Sequence, residues 1–259
     1  ETGGAGEVSS FGALCISMAA TLGFAEISAY YDEMYVNETH YREEVERIVG
    51  IVNQYMPTAK TILDIACGTG AQAKYLAEHY AVTGLDLSPE MLAIAKEKVP
   101  SGQFIVADMC NFSLDASFDV VANLYGSIGF AENYNAMKSS VKCVYAHLNL
   151  GGVFILTPWS TKETFKDGLV AKSRSEKPNG FCRMESVQRI SENKVCIQMH
   201  HLVANNMDIS YHKNESLVSL FSEAEYRSAL EEAGFVIVAR LSEAEFRMGA
   251  FICLKLSKH

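Results

Sequence analysis

Apolar and polar positions in the first half of the chain come in repeating blocks: a short apolar run, a turn, then a stretch with helical composition. Ile62, Leu63 and Ile65 read as a buried parallel strand that runs into the turn Ala66-Cys67-Gly68-Thr69-Gly70, and residues 71–79 after it have helix composition. Further strands are expected over 81–87, 103–109 and 118–123, the first three strands carrying Asp64, Asp86 and Asp108 near their ends. Ser88-Pro89 has a helix cap followed by a proline at the first helical position. This succession predicts an α/β fold with a mostly parallel sheet.

The pattern changes further on. Residues 132–149 are expected to be helical and to stop at Leu150-Gly151-Gly152, with a buried strand over 153–158 ended by Pro158. From 169 to 220 the period shifts to two, in runs 182–190, 194–203 and 209–220 separated by polar turns. That is an antiparallel sheet inserted before the main sheet resumes. Ser222 to Gly234 forms a capped amphipathic helix with a glycine stop, and 235–239 with 249–256 a closing hairpin.

Glycines at 68 and 70 let the backbone turn tightly and approach a ligand, and Asp86 follows Asp64 by about 22 residues, where a carboxylate can hold ribose hydroxyls. A dinucleotide site shares these features. Here the third glycine of such a fingerprint is replaced by Ala73, followed by Lys74.

The order of motifs resembles the class I S-adenosylmethionine-dependent methyltransferases over residues 28–257. The resemblance implies a seven-stranded Rossmann-like methyltransferase sheet with helices on both faces and an inserted antiparallel β-sheet roofing the active site. Residues 1–27 would be an N-terminal extension, 28–168 the cofactor-binding core, 169–220 a substrate or dimer insertion, and 221–259 the completion of the core sheet. The implied cofactor is S-adenosyl-L-methionine, leaving as S-adenosyl-L-homocysteine. Its contacts would come from Tyr41, Asp64, Ala66, Gly68, Gly70, Asp86, Leu87, Met91, Asp108, Met109 and Leu124.

Within that family the chain is similar to the N-methyltransferases that dimethylate nucleotide-linked amino sugars in antibiotic pathways. The matching stretches are Tyr31-Asp32 with Tyr41, then 124–130, Thr157-Pro158-Trp159, 165–168, 220–222 with Glu225-Tyr226, and Arg247. Ser127, Trp159 and Arg247 are then expected at the acceptor, Arg247 holding a phosphate or else pairing with Glu243 or Glu245. Tyr31 and His201 are the candidate catalytic groups. His200 and His201 are adjacent in a strand and so point to opposite faces. The sequence departs from the pattern at Thr157, Ser160 and Cys110-Asn111. Oxygen or carbon methylation of another small metabolite, or a non-catalytic cofactor-binding module, are the alternative readings.

Composition narrows the acceptor. A net charge of −9 and a pI of about 5.3 argue against nucleic acid, whose phosphates require a positive field. Seven cysteines, odd in number and never spaced C-x-x-C, read as reduced thiols in a cytoplasmic protein rather than a disulfide frame or metal site. The apolar stretch 11–25 follows Glu7 and falls short of the ~20 residues of a membrane span, so it is expected to fold as a helix against the domain. A small-molecule acceptor, no membrane, and a homodimer through the insertion complete the expectations.

Overall fold

The computed structural model describes residues 28, 30–35, 38–175, 180–205 and 208–257. The apolar stretch 11–25 lies outside them. In chain order the elements are α1 (Glu38–Tyr55), β1 (Thr61–Ile65), α2 (Ala73–Leu76), β2 (Ala81–Asp86), α3 (Pro89–Lys98), β3 (Gln103–Val106), β4 (Phe118–Asn123), α4 (Tyr134–His147) and β5 (Leu148–Leu156). There follow β6 (Leu169–Ser175), β7 (Phe181–Ser191), β8 (Lys194–Asn205), β9 (Asp208–Ser219), α5 (Glu223–Ala233), β10 (Val236–Leu241) and β11 (Ala250–Leu254).

The main sheet has seven strands in the order β10-β11-β5-β4-β1-β2-β3. It is parallel from β5 to β3, while β11 runs antiparallel to both of its neighbours. Strand order reverses between β1 and β4, so a crevice opens at their carboxyl ends. Alternating side chains feed two cores. Ile62, Val120, Ala122 and Ile155 pack under α1, α2 and α3, whereas Leu63, Val121, Phe154 and Leu156 pack under α4 and α5. Helix starts are fixed by side chains: Ser88 accepts from the Met91 amide at 3.2 Å, and Ser222 with Glu225 forms a reciprocal capping box on α5.

The inserted sheet has four antiparallel strands, β6-β7-β8-β9, with β6 an edge strand that periodicity had not separated. It is seated at the carboxyl end of the main sheet. Val187, Val195, Ile197, Met199, Val218 and Leu220 cover Trp159 and Phe165, Ser219 Oγ donates to the Ala131 carbonyl at 2.6 Å, and Lys194 Nζ donates to the Glu132 carbonyl. Two local expectations change. The helix expected over 71–79 reduces to Ala73–Leu76 within a series of turns. The Gly151-Gly152 pair lies inside β5 rather than before it.

Candidate active site

The turn after β1 is built mostly from backbone. Ala66 and Gly68 take positive φ (57° and 53°), and a Cβ on Gly68 would project into open space with nothing within 4 Å. Gly70 also takes positive φ (69°) and has a packing duty as well. A Cβ there would lie 3.0 Å from the Ala95 Cβ and 3.2 Å from its Cα, so its bare backbone lets α3 close on the turn. Asp86 accepts from the amides of Gly68 (2.9 Å) and Ser88 (3.0 Å). Burial pushes its pKa up, and these amides pull it back. Two donors thus orient the carboxylate, leaving further lone pairs for hydroxyl groups. Asp64 is 2% exposed with Oδ2 unpartnered, and burial followed by the Asp86 charge raises its pKa to about 7.

Along the β2–β3 edge, Leu87 is 43% exposed and Asp108 is exposed. Asp108 accepts from the Cys110 amide at 2.8 Å. Met109 is nearly buried, its sulfur 3.7 Å from Asn123 Nδ2. Met91 and Leu124, two expected cofactor contacts, have fully packed side chains, which leaves only their backbone to meet a ligand.

On the other side of the crevice the helical residues 30–35 lie over the turn. Tyr31 stacks on Tyr35 with ring centroids 4.7 Å apart, and burial together with Tyr41, Tyr35 and Asp86 pushes its phenol well above the usual range. Below it, Tyr41 lies 5.1 Å from Tyr125, Gln72 Nε2 donates to the buried Glu44 at 3.3 Å, and the Arg247 guanidinium sits 5.4 Å over the Tyr125 ring. Burial raises Tyr41 to about 12, with Arg247 opposing. Arg247 therefore joins the tyrosine–glutamate group beside the glycine turn. Among the described residues neither Glu243 nor Glu245 pairs with it.

The inner face of the inserted sheet carries the second polar group. His201 stands opposite Arg183 on β7 and His212 on β9. It is completely buried and both ring nitrogens lack partners; burial, then Arg183, lowers its pKa to about 4. Arg183 lies 4.4 Å over the Tyr35 ring and 3.7 Å from Glu185, with Nε unpartnered. Contacts thus run from Tyr31 through Tyr35 to Arg183, which stands opposite His201 across the strands. His200 faces the other way and bonds the Tyr211 hydroxyl at 2.6 Å. Ser127 Oγ donates to its own turn at the Leu124 carbonyl, 3.0 Å, and Trp159 packs on Phe165 beneath the roof.

Arg183, Glu44, Gln72, Thr69 and Lys98 were not singled out from sequence. Glu44 alone left a readable signal, an acid on the apolar stripe Tyr41, Val45, Ile48 and Val52. Arg183 becomes visible only once the β7–β8 register is known.

A ligand with a nucleoside and cationic groups suits this crevice: Asp64 presents an unmatched buried carboxylate oxygen, and the space before Gly68 is open. Comparison with known proteins agrees. The family described as "Methyltransferase domain" matches residues 62–152. The chain is 30% identical to the dTDP-3-amino-3,6-dideoxy-alpha-D-glucopyranose N,N-dimethyltransferase of Streptomyces fradiae, over 82% of this chain and 84% of that protein. Among solved structures it is similar to Streptomyces venezuelae DesVI (TM-score 0.82, 28% identity, 87% of this chain and 97% of that one). It is similar too to the sugar N-methyltransferase KedS8 of a Streptoalloteichus species (TM-score 0.82, 28% identity, 99% and 100%). The chain belongs to the class I S-adenosylmethionine-dependent methyltransferases, close to the amino-sugar N-methyltransferases of antibiotic pathways. It is an enzyme, and its cofactor is S-adenosylmethionine.

Proposed function

We propose that the enzyme methylates the amino nitrogen of a nucleotide-linked amino sugar. The observation that carries this reading is the reach of the similarity, 82% of the chain to a dTDP-amino-sugar N,N-dimethyltransferase, well beyond the matched domain at 62–152. Relatives named as N,N-dimethyltransferases favour nitrogen over oxygen or carbon. Among the described residues no helix is long and apolar enough to cross a membrane, and the scattered thiols support a cytoplasmic setting.

S-adenosylmethionine supplies an electrophilic methyl on a sulfonium that is already a good leaving group, so orientation can provide most of the acceleration. Asp86 is held by two amides to accept from ribose hydroxyls, and Asp64 matches a cationic part of the cofactor. Asp108, Leu87 and Met109 line the base side, while Ala66 and Gly68 give close backbone approach. Tyr41 closes the methionine end. Tyr31 keeps its proton at working pH and so orients the acceptor by hydrogen bonding. His201 stays neutral near pH 7 and, with Arg183, serves acceptor binding on the roof, one tyrosine pair away from Tyr31. Trp159 and Ser127 contribute the wall beneath it. An amine needs only to arrive neutral, which exclusion of water favours.

Production of S-adenosylhomocysteine from dTDP-linked amino sugars, set against the same amino sugars without nucleotide, tests the reading. Turnover confined to the nucleotide-linked compounds is expected; equal kcat/KM for both overturns it. We also propose a homodimer through the outer face of the inserted sheet, where Cys182, Leu202 and Tyr211 align across three strands and are exposed. Sedimentation equilibrium decides, with Leu202→Asp expected to give monomers.

A further inference from the structure

One ion pair not used above joins three parts of the cofactor crevice. Asp32, in the helical residues 30–35, accepts from Thr69 Oγ1 at 2.5 Å and from Lys98 Nζ at 2.5 Å, and Lys98 Nζ also donates to Thr69 Oγ1 at 3.2 Å. Thr69 lies between the two glycines of the turn and is 1% exposed. Lys98 is the last residue of α3, the helix that begins just after Asp86. The triad thus ties the turn, the far end of α3 and the residues that present Tyr31.

We propose that Lys98 is a positioning residue that clamps residues 30–35 onto the glycine turn, so that the wall carrying Tyr31 stays beside the turn and the cofactor is retained. The triad's side chains reach across from the described helical residues 30–35 to the turn and to the end of α3, two elements otherwise separate from them in the chain. Two neighbouring pairs show the contrast. Lys74–Glu38 and Arg42–Glu78 link α1 to the α2 region, but their side chains are roughly half exposed or more and touch no residue of the turn. The Lys98 side chain is 20% exposed, its partner Asp32 36%, and it shares a hydroxyl with the turn itself. A charge-assisted, three-centred contact with that cover has a stronger hold than a rim pair.

Because only the cofactor is needed for the test, its outcome is independent of which acceptor the enzyme takes. Release of S-adenosylhomocysteine would be timed by stopped-flow displacement for wild type, Lys98→Met, Lys98→Arg and Asp32→Asn, alongside thermal unfolding without cofactor. Lys98→Met and Asp32→Asn are expected to speed release about tenfold, as for loss of one partly covered charged contact. Lys98→Arg is expected to restore most of it, and unfolding without cofactor to change little. Unchanged release in Lys98→Met overturns the proposal. So does faster release that Lys98→Arg fails to correct and that accompanies a matching fall in stability without cofactor, since the lysine would then be merely structural.

Discussion

The two halves of the crevice are made differently. Around the glycine turn, Asp86 takes two amides and the turn amides bond within the β1–β2 region, while Asp64 Oδ2 beside them is buried without a partner. On the roof, His201 and the Arg183 Nε are buried without partners. A carboxylate matched by amides is already oriented, whereas a buried polar atom without a partner carries a cost that a ligand group able to pair with it would offset. On the proposed function, the turn is the part that any acceptor would share and the roof the part that would select among acceptors.

The sharpest way to break that contrast is Gly68→Val. A branched side chain at positive φ, pointed into the open crevice, is expected to lower cofactor affinity at least about a hundredfold while the chain stays folded. Titration calorimetry with far-UV circular dichroism checks it; retained affinity would mean the turn does not meet the ligand. On the roof, His201→Leu removes a buried imidazole that has no partner, so thermal stability should hold or rise. kcat/KM for the acceptor should fall by the equivalent of about 1–3 kcal/mol, with cofactor affinity unchanged. A matching loss of cofactor binding would erase the division between the halves.

The pH dependence sharpens it further. In the free protein the Asp64 pKa, about 7, exceeds its ordinary value of 3.8. The folded state therefore takes up a proton between pH 7 and 4 and gains stability from Asp64 as pH falls through that window; above pH 7 the buried charge costs stability. Asp64→Asn should remove this slope in urea unfolding. Binding of a cationic ligand favours the ionised form, so cofactor affinity should fall by up to about tenfold per pH unit below 7 in wild type and stay flat in Asp64→Asn. The smallest effect belongs to Arg247→Ala. The exposed guanidinium over Tyr125 should contribute less than about 1 kcal/mol, read as a few-fold rise in KM. If the cofactor KM rises and the acceptor KM does not, Arg247 belongs to the tyrosine–glutamate group; the reverse restores the phosphate role expected from sequence.

What the sequence shows and what it hides follow the same division. Strands β1, β2 and β4 are mainly apolar without strict alternation because both faces are covered, and Ser88 and Ser222 announce their helices by capping chemistry. Gly70 was legible as a turn glycine, but its packing duty was not, since Ala95 comes near it only through the packing of α3. Met91 and Leu124 match the motif by position, yet position does not say which way a side chain points. The edge strand β6, LVAKSRS, mixes apolar and charged residues too evenly for periodicity to separate it. The Arg183–His201 pairing and the Asp32–Thr69–Lys98 triad join residues far apart in the chain, for which no local pattern exists.

The helical residues 30–35 touch both halves: Asp32 holds Thr69 of the glycine turn, while Tyr35, stacked on Tyr31, lies under Arg183. Two ligand sites that share a wall do not fill independently. Residues 30–35 lie on the glycine turn on one side and under Arg183 on the other, so the expected order is cofactor first and acceptor second. Steady-state inhibition patterns carry that signature: S-adenosylhomocysteine competing with S-adenosylmethionine, while a dead-end acceptor analogue is uncompetitive against it.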